Sequence, residues 1–238
     1  MDYIILVFAV ITGAIIAYFF QNNSKFSKRL LMFSAGFLLA IIVLDMFPSL
    51  YSGKGMNAGI WIIIGVGLQL VLESLSKGIE HGHVHPHKHG INAVIPFSVM
   101  CGLFIHSFLE GTPIEAQHIH HTHTGHEHAG HSNILWALSI HKVSESIVLA
   151  TFLFSLNIKK IYTLSILFLF AISAPVGAYF GSFLSFEFYF PVLGIVAGIL
   201  LHISSVIIFE SNEKHNLNWQ KLIFVFGGML TGYLITQF

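Results

Sequence analysis

Residues 134–156 read ILWALSIHKVSESIVLATFLFSL, an apolar run with His141, Lys142 and Glu145 in its interior. A helix needs about 20 apolar residues to cross the hydrocarbon core of a bilayer, and this run is long enough. Ionisable side chains at membrane depth cost about 2.5–3.5 kcal/mol each on the insertion scale, so where they occur they mark sites and pathways. The run is therefore a membrane helix that carries chemistry.

Working outward, seven further stretches have a similar character: 3–20, 30–50, 56–75, 91–111, 161–183, 188–209 and 222–238. The break between the sixth and seventh spans is short, only 185–187. Lipid offers the backbone no hydrogen bonds, so the spans are helices, and the expected fold is an all-α polytopic bundle of eight transmembrane helices. Composition agrees. The chain is 55% hydrophobic and 9% charged, with a mean hydropathy of +0.77. A soluble domain carries about 25% charged residues, and this chain has too few to cover a water-facing surface. A formal net charge of zero gives no reason to expect nucleic acid or an acidic partner. The single cysteine, Cys101, excludes an internal disulfide and is read as structural. The apolar N-terminus has no basic flank and no small-residue cleavage motif, so it reads as the first span and not as a signal peptide.

Basic residues set the orientation. Lys25, Lys28, Arg29, Lys77, Lys88, Lys159, Lys160, Lys214 and Lys221 fall in alternate loops, and only Lys54 falls on the other side. Nine against one places the first set in the cytoplasm and both termini outside it.

The fourth span supplies a match for the opening run. It holds His106-Ser107-Phe108-Leu109-Glu110, and the fifth holds His141-Lys142-Val143-Ser144-Glu145. In each, a histidine and a glutamate stand at i and i+4, one turn apart on one face. Packed together, the two helices gather two imidazoles and two carboxylates, a donor set that suits Zn²⁺. Ser107 and Lys142 flank the point. His106 and Glu110 are expected near the outer end of their span, and His141, Lys142 and Glu145 deeper. The bland alternative is an interhelical polar network such as Glu110 to Lys142, and the duplication of the motif argues against it.

Two loops strengthen the metal reading. Residues 79–90, on the cytoplasmic side, carry His81, His83, His85, His87 and His89. Residues 113–133, on the outer side, carry His118, His120, His121, His123, His126, His128 and His131. Imidazoles at this density, among Gly, Pro and Thr, chelate borderline metals but fix no single geometry, so these tracts read as capture loops. Other polar positions are candidates for the path: Asp45 ahead of Pro48, the i,i+4 pair Gln69 and Glu73, and His202. Pro175 is expected to bend the sixth span, and Gly177, Gly181, Gly194, Gly198, Gly227, Gly228 and Gly232 to allow close helix packing.

The strings His106-Ser107-x-x-Glu110-Gly111 and His141-Lys142-x-x-Glu145 resemble the paired signatures of the ZIP (Zrt-, Irt-like protein) family of divalent metal transporters. So do the eight spans, the outward termini, the histidine-rich loop between spans three and four, and Asp45 before x-x-Pro on span two. The resemblance covers nearly the whole chain. It implies a single transmembrane domain over 1–238 in which spans one to three and six to eight form an inverted repeat around spans four and five. It also implies a homodimer in the plasma or inner membrane that moves Zn²⁺, or Fe²⁺, Mn²⁺ or Cd²⁺, toward the cytoplasm, without an organic cofactor. His106, Glu110, His141 and Glu145 match the family's primary metal site, and Ser107 and Lys142 match positions of a second site in some members. Many members have proline before the glutamates, where this chain has Leu109 and Ser144, so straighter helices are expected here. Many also have Glu where this chain has Ala174, which removes a second-site carboxylate. A metal efflux carrier is the first alternative; such carriers have fewer spans and usually a soluble C-terminal domain. An intramembrane metallohydrolase or desaturase-like hydroxylase is the second, and it is disfavoured because no catalytic constellation accompanies His120-His121.

Overall fold

The computed structural model describes residues 2–20, 24–52, 57–76, 97–124, 129–156, 158–210 and 219–237, with the side chains of 24, 116–124, 129–132, 186 and 210 left out of that description. Among the described residues there is no strand. The helices are α1 (Asp2–Phe20), α2 (Ser24–Ile41), α3 (Phe47–Ser52), α4 (Ala58–Ser76), α5 (Phe97–Thr124), α6 (Ala129–Ser155), α7 (Lys160–Gly181), α8 (Phe186–Glu210) and α9 (Trp219–Gln237). A π-helical turn, Ile42–Met46, joins α2 to α3 in one continuous rod.

Seven rods are long and apolar enough to cross a membrane: α1, α2 through α3, and α4 to α8. They fit an integral membrane protein. Helix α9 is 19 residues long and packs along α2, but with Gln220 and Lys221 in its first turn and Gln237 at its end it is not among those seven. The outer faces carry large exposed apolar side chains, among them Phe8, Ile15, Ile63, Phe168 and Phe226. In water such a surface would be a liability; against lipid tails it is the expected one.

The bundle is organised by four extensive helix pairs: α1 with α6, α2 with α9, α4 with α8, and α5 with α7. Exchanging α1 with α7, α2 with α8, α4 with α9 and α5 with α6 maps these pairs onto one another. The contacts of α1 with α7 and of α2 with α8 map onto themselves. Three of the four pairs are sealed by reciprocal glycines. A Cβ at Gly36 would strike the Val225 carbonyl of α9, and one at Gly228 the Phe33 carbonyl of α2. Gly65 and Gly198 do the same between α4 and α8, and Gly111 and Gly177 between α5 and α7. Small residues let backbones touch where lipid provides no hydrophobic force between helices. Gly227, by contrast, only approaches the Phe33 ring.

Two features of the helices differ from the sequence reading. Helix α5 does not stop near Gly111 but runs through Pro113 to Thr124, and α6 begins at Ala129, so much of the expected loop 113–133 has a helical backbone. Glu110 therefore lies mid-helix. The start of the fourth expected span, 91–96, and the tract His81–His89 lie outside the described residues. The rod of α2 and α3 is locally widened at Asp45: Pro48 cannot donate and its ring crowds the carbonyl four residues back, and the π-turn just before it relieves that conflict.

Candidate metal centre

Helices α5 and α6 run unbroken through Leu109 and Ser144. Each holds its histidine and glutamate one turn apart. His106, Glu110, His141 and Glu145 meet in the bundle interior, each with a potential ligand atom within 4.8 Å of the others. His106 Nε2 lies 3.1 Å from Glu110 Oε1 and 3.6 Å from Glu145 Oε1. His141 Nε2 lies 3.3 Å from Glu110 Oε1 and 3.8 Å from Glu145 Oε2. The two imidazoles are nearly perpendicular, at 83° with centroids 6.4 Å apart.

All four side chains are at most 1% exposed. His106 and Glu110 are thus as fully enclosed by protein as His141 and Glu145.

Lys142 completes the centre. Its Nζ donates to Glu145 Oε2 at 2.7 Å and pairs with Glu110 Oε2. It also sits 5.1 Å above the Phe170 ring of α7, a cation–π contact that sequence spacing does not reveal. Ser107 is fully buried beside His106, but its hydroxyl has no hydrogen-bond partner among the described residues. The same holds for His106 Nε2, His141 Nε2, Glu110 Oε1 and Glu145 Oε1. Buried polar atoms are nearly always satisfied, so four that converge without hydrogen-bonding geometry are a chemical signature.

That signature fits a cation. Tetrahedral Zn²⁺ with bonds of about 2.0–2.2 Å holds neighbouring ligand atoms about 3.3–3.6 Å apart. The nitrogen–oxygen separations here bracket that spacing.

The remaining candidates divide into four groups. Gln69, on α4, joins the centre through its Oε1, 3.2 Å from His106 Nδ1. Glu73 and His202 form a separate pair, His202 Nε2 to Glu73 Oε2 at 2.8 Å, linking α4 to α8 one turn beyond Gln69. Asp45 is held by the side chain of Asn133, at the start of the apolar part of α6. The side chains of His118, His120, His121, His123, His126, His128 and His131 lie outside the described residues, like the tract His81–His89. Sequence reasoning missed Asn133, Phe170 and the attachment of Gln69 to His106. Each involves another helix, and no spacing within one helix encodes it.

No protein-family model and no curated protein matches this chain.

Proposed function

We propose that this protein is a transporter of divalent transition-metal ions, zinc foremost, which carries the ion through the centre formed by His106, Glu110, His141 and Glu145. The observation that carries the reading is the cluster itself: two imidazoles and two carboxylates, fully buried in a bundle of apolar helices, at metal-binding separations. A structural role alone is a poor account of it, because four atoms of the cluster make no hydrogen bond among the described residues. The resemblance of the two helix motifs to the ZIP family, and the contact pattern that repeats between α1–α4 and α7–α9, favour the same reading. So does the supply of histidine in the sequence tracts 81–89 and 118–131. In this reading transport runs toward the cytoplasm across a plasma or inner membrane, the termini lie outside, and the chain works as a homodimer without enzymatic activity.

Lys142 sets the ion count. Two carboxylates and one ammonium leave one formal negative charge, enough for a single divalent cation to be held and still released. The ammonium cannot ligate metal, and it occupies both Oε2 atoms that would bridge a second ion. With Ala174 in place of a further carboxylate, the centre takes one ion.

Proteoliposomes loaded with a zinc-sensitive dye test the proposal. Wild-type protein should admit Zn²⁺, and Glu145→Ala should reduce flux to near background while the protein remains folded. Deleting 118–131 should change the apparent affinity at low zinc and leave maximal flux largely intact. Normal flux through Glu145→Ala, or net zinc extrusion from cells expressing the wild type, would sink the reading.

A further inference from the structure

Gln69 stands on α4, apart from the two helices that bear the ligands, and it is fully buried. Its Oε1 faces His106 Nδ1 at 3.2 Å. An amide oxygen has no proton to give, so the hydrogen in this bond belongs to Nδ1. A neutral imidazole protonated at Nδ1 keeps its lone pair on Nε2, and Nε2 is the nitrogen aimed at Glu110 and Glu145. The second histidine has no such support: neither ring nitrogen of His141 has a hydrogen-bond partner among the described residues. The two imidazoles of the centre are therefore unequal, and the difference comes from one amide on a third helix.

Metal-binding histidines usually give their other N–H to a carboxylate or carbonyl, which fixes the tautomer and raises ligand basicity. A carboxylate at position 69 would add a third negative charge to a centre that already holds two. An amide fixes the tautomer without adding charge. Resting on the metal-centre reading above, we propose that Gln69 is a positioning residue: it locks His106 in the Nδ1–H tautomer, presents Nε2 to the ion, and keeps the centre weak enough to release it.

The test uses the full-length chain with the histidines of 81–89 and 118–131 replaced by serine, which leaves His106, His141, His202 and His215 as the imidazoles to be observed. Zinc affinity is measured by calorimetry on this parent and on Gln69→Met and Gln69→Glu made in it. Gln69→Met, of similar volume but with no acceptor, should weaken zinc binding about 10–100-fold. Gln69→Glu should restore parental affinity or exceed it, with slower zinc release in the flux assay. In the zinc-bound parent, ¹⁵N spectra should show His106 protonated at Nδ1 and metal-bound at Nε2. Parent-like affinity in Gln69→Met, an equal loss in both variants, or a metal-bound Nδ1 would overturn the proposal while leaving the metal centre standing. A parent that binds no zinc at all would overturn the metal centre, and this inference with it.

Discussion

Lys142 carries the sharpest consequence at the scale of the residue. It is 1% exposed and shared between Glu110 and Glu145, so without an ion it is the cation that holds two buried carboxylates together. Removing one partner of a buried ion pair costs about 3–5 kcal/mol, because the other charge is left uncompensated. Lys142→Ala should therefore lower the melting temperature of the ion-free protein markedly, and saturating Zn²⁺ should recover part of the loss by binding only the folded state. Thermal melts with and without zinc would show this, and an unchanged ion-free melt would remove Lys142 from its role. The residues of the centre were legible from the sequence because a helix puts i and i+4 on one face. That geometry reaches only as far as one helix. The attachment of Gln69 to His106 and the pairing of Glu73 with His202 join residues far apart in the chain, and nothing in local spacing announces them.

Among the elements, α5 and α7 matter most to the centre, because α5 carries half of the His/Glu cluster and α7 fixes its position. Gly177 of α7 lies against the Phe108 carbonyl, between His106 and Glu110, and Gly111 of α5 lies against the Ala174 carbonyl. A larger side chain at either glycine must push the helices apart. Gly177→Leu should destabilise the protein by about 1–3 kcal/mol, the usual cost of overpacking, and weaken zinc affinity by displacing α5. Gly227→Leu, where a Cβ meets only the edge of the Phe33 ring, is the control and should be far milder. Melting and zinc titration of both variants would check the contrast. Apolar runs located the helices well, but they misplaced the end of α5. Hydropathy reports where lipid stops, whereas a helix continues for as long as its own hydrogen bonds do, and Pro113 and the histidine-rich tract read as a loop for that reason.

Over the whole molecule, alternation of the basic residues predicts which faces meet the cytoplasm. Single cysteines placed in a Cys101→Ser background should be labelled from outside intact cells at position 2, and at position 85 only after permeabilisation. Labelling of position 85 in intact cells would reverse the topology. Apolar stretches predict eight transmembrane helices; among the described residues there are eight rods, of which seven are long and apolar enough to cross a membrane. The bond between Lys142 and Glu110 also bears on how the chain is made. Helix α5 alone would have to take Glu110 into lipid with no cation of its own, and its counter-charge, Lys142, lies on α6, the helix synthesised just after it. Biogenesis then favours a hairpin: α5 waits at the translocon until α6 emerges, and the two leave for the bilayer with Glu110 paired to Lys142. In a glycosylation-based insertion assay, α5 alone should insert poorly, α5 with α6 should insert better, and Glu110→Leu should let α5 insert without α6. The charge pair at the heart of the cluster would thus also set the order in which the protein enters its membrane.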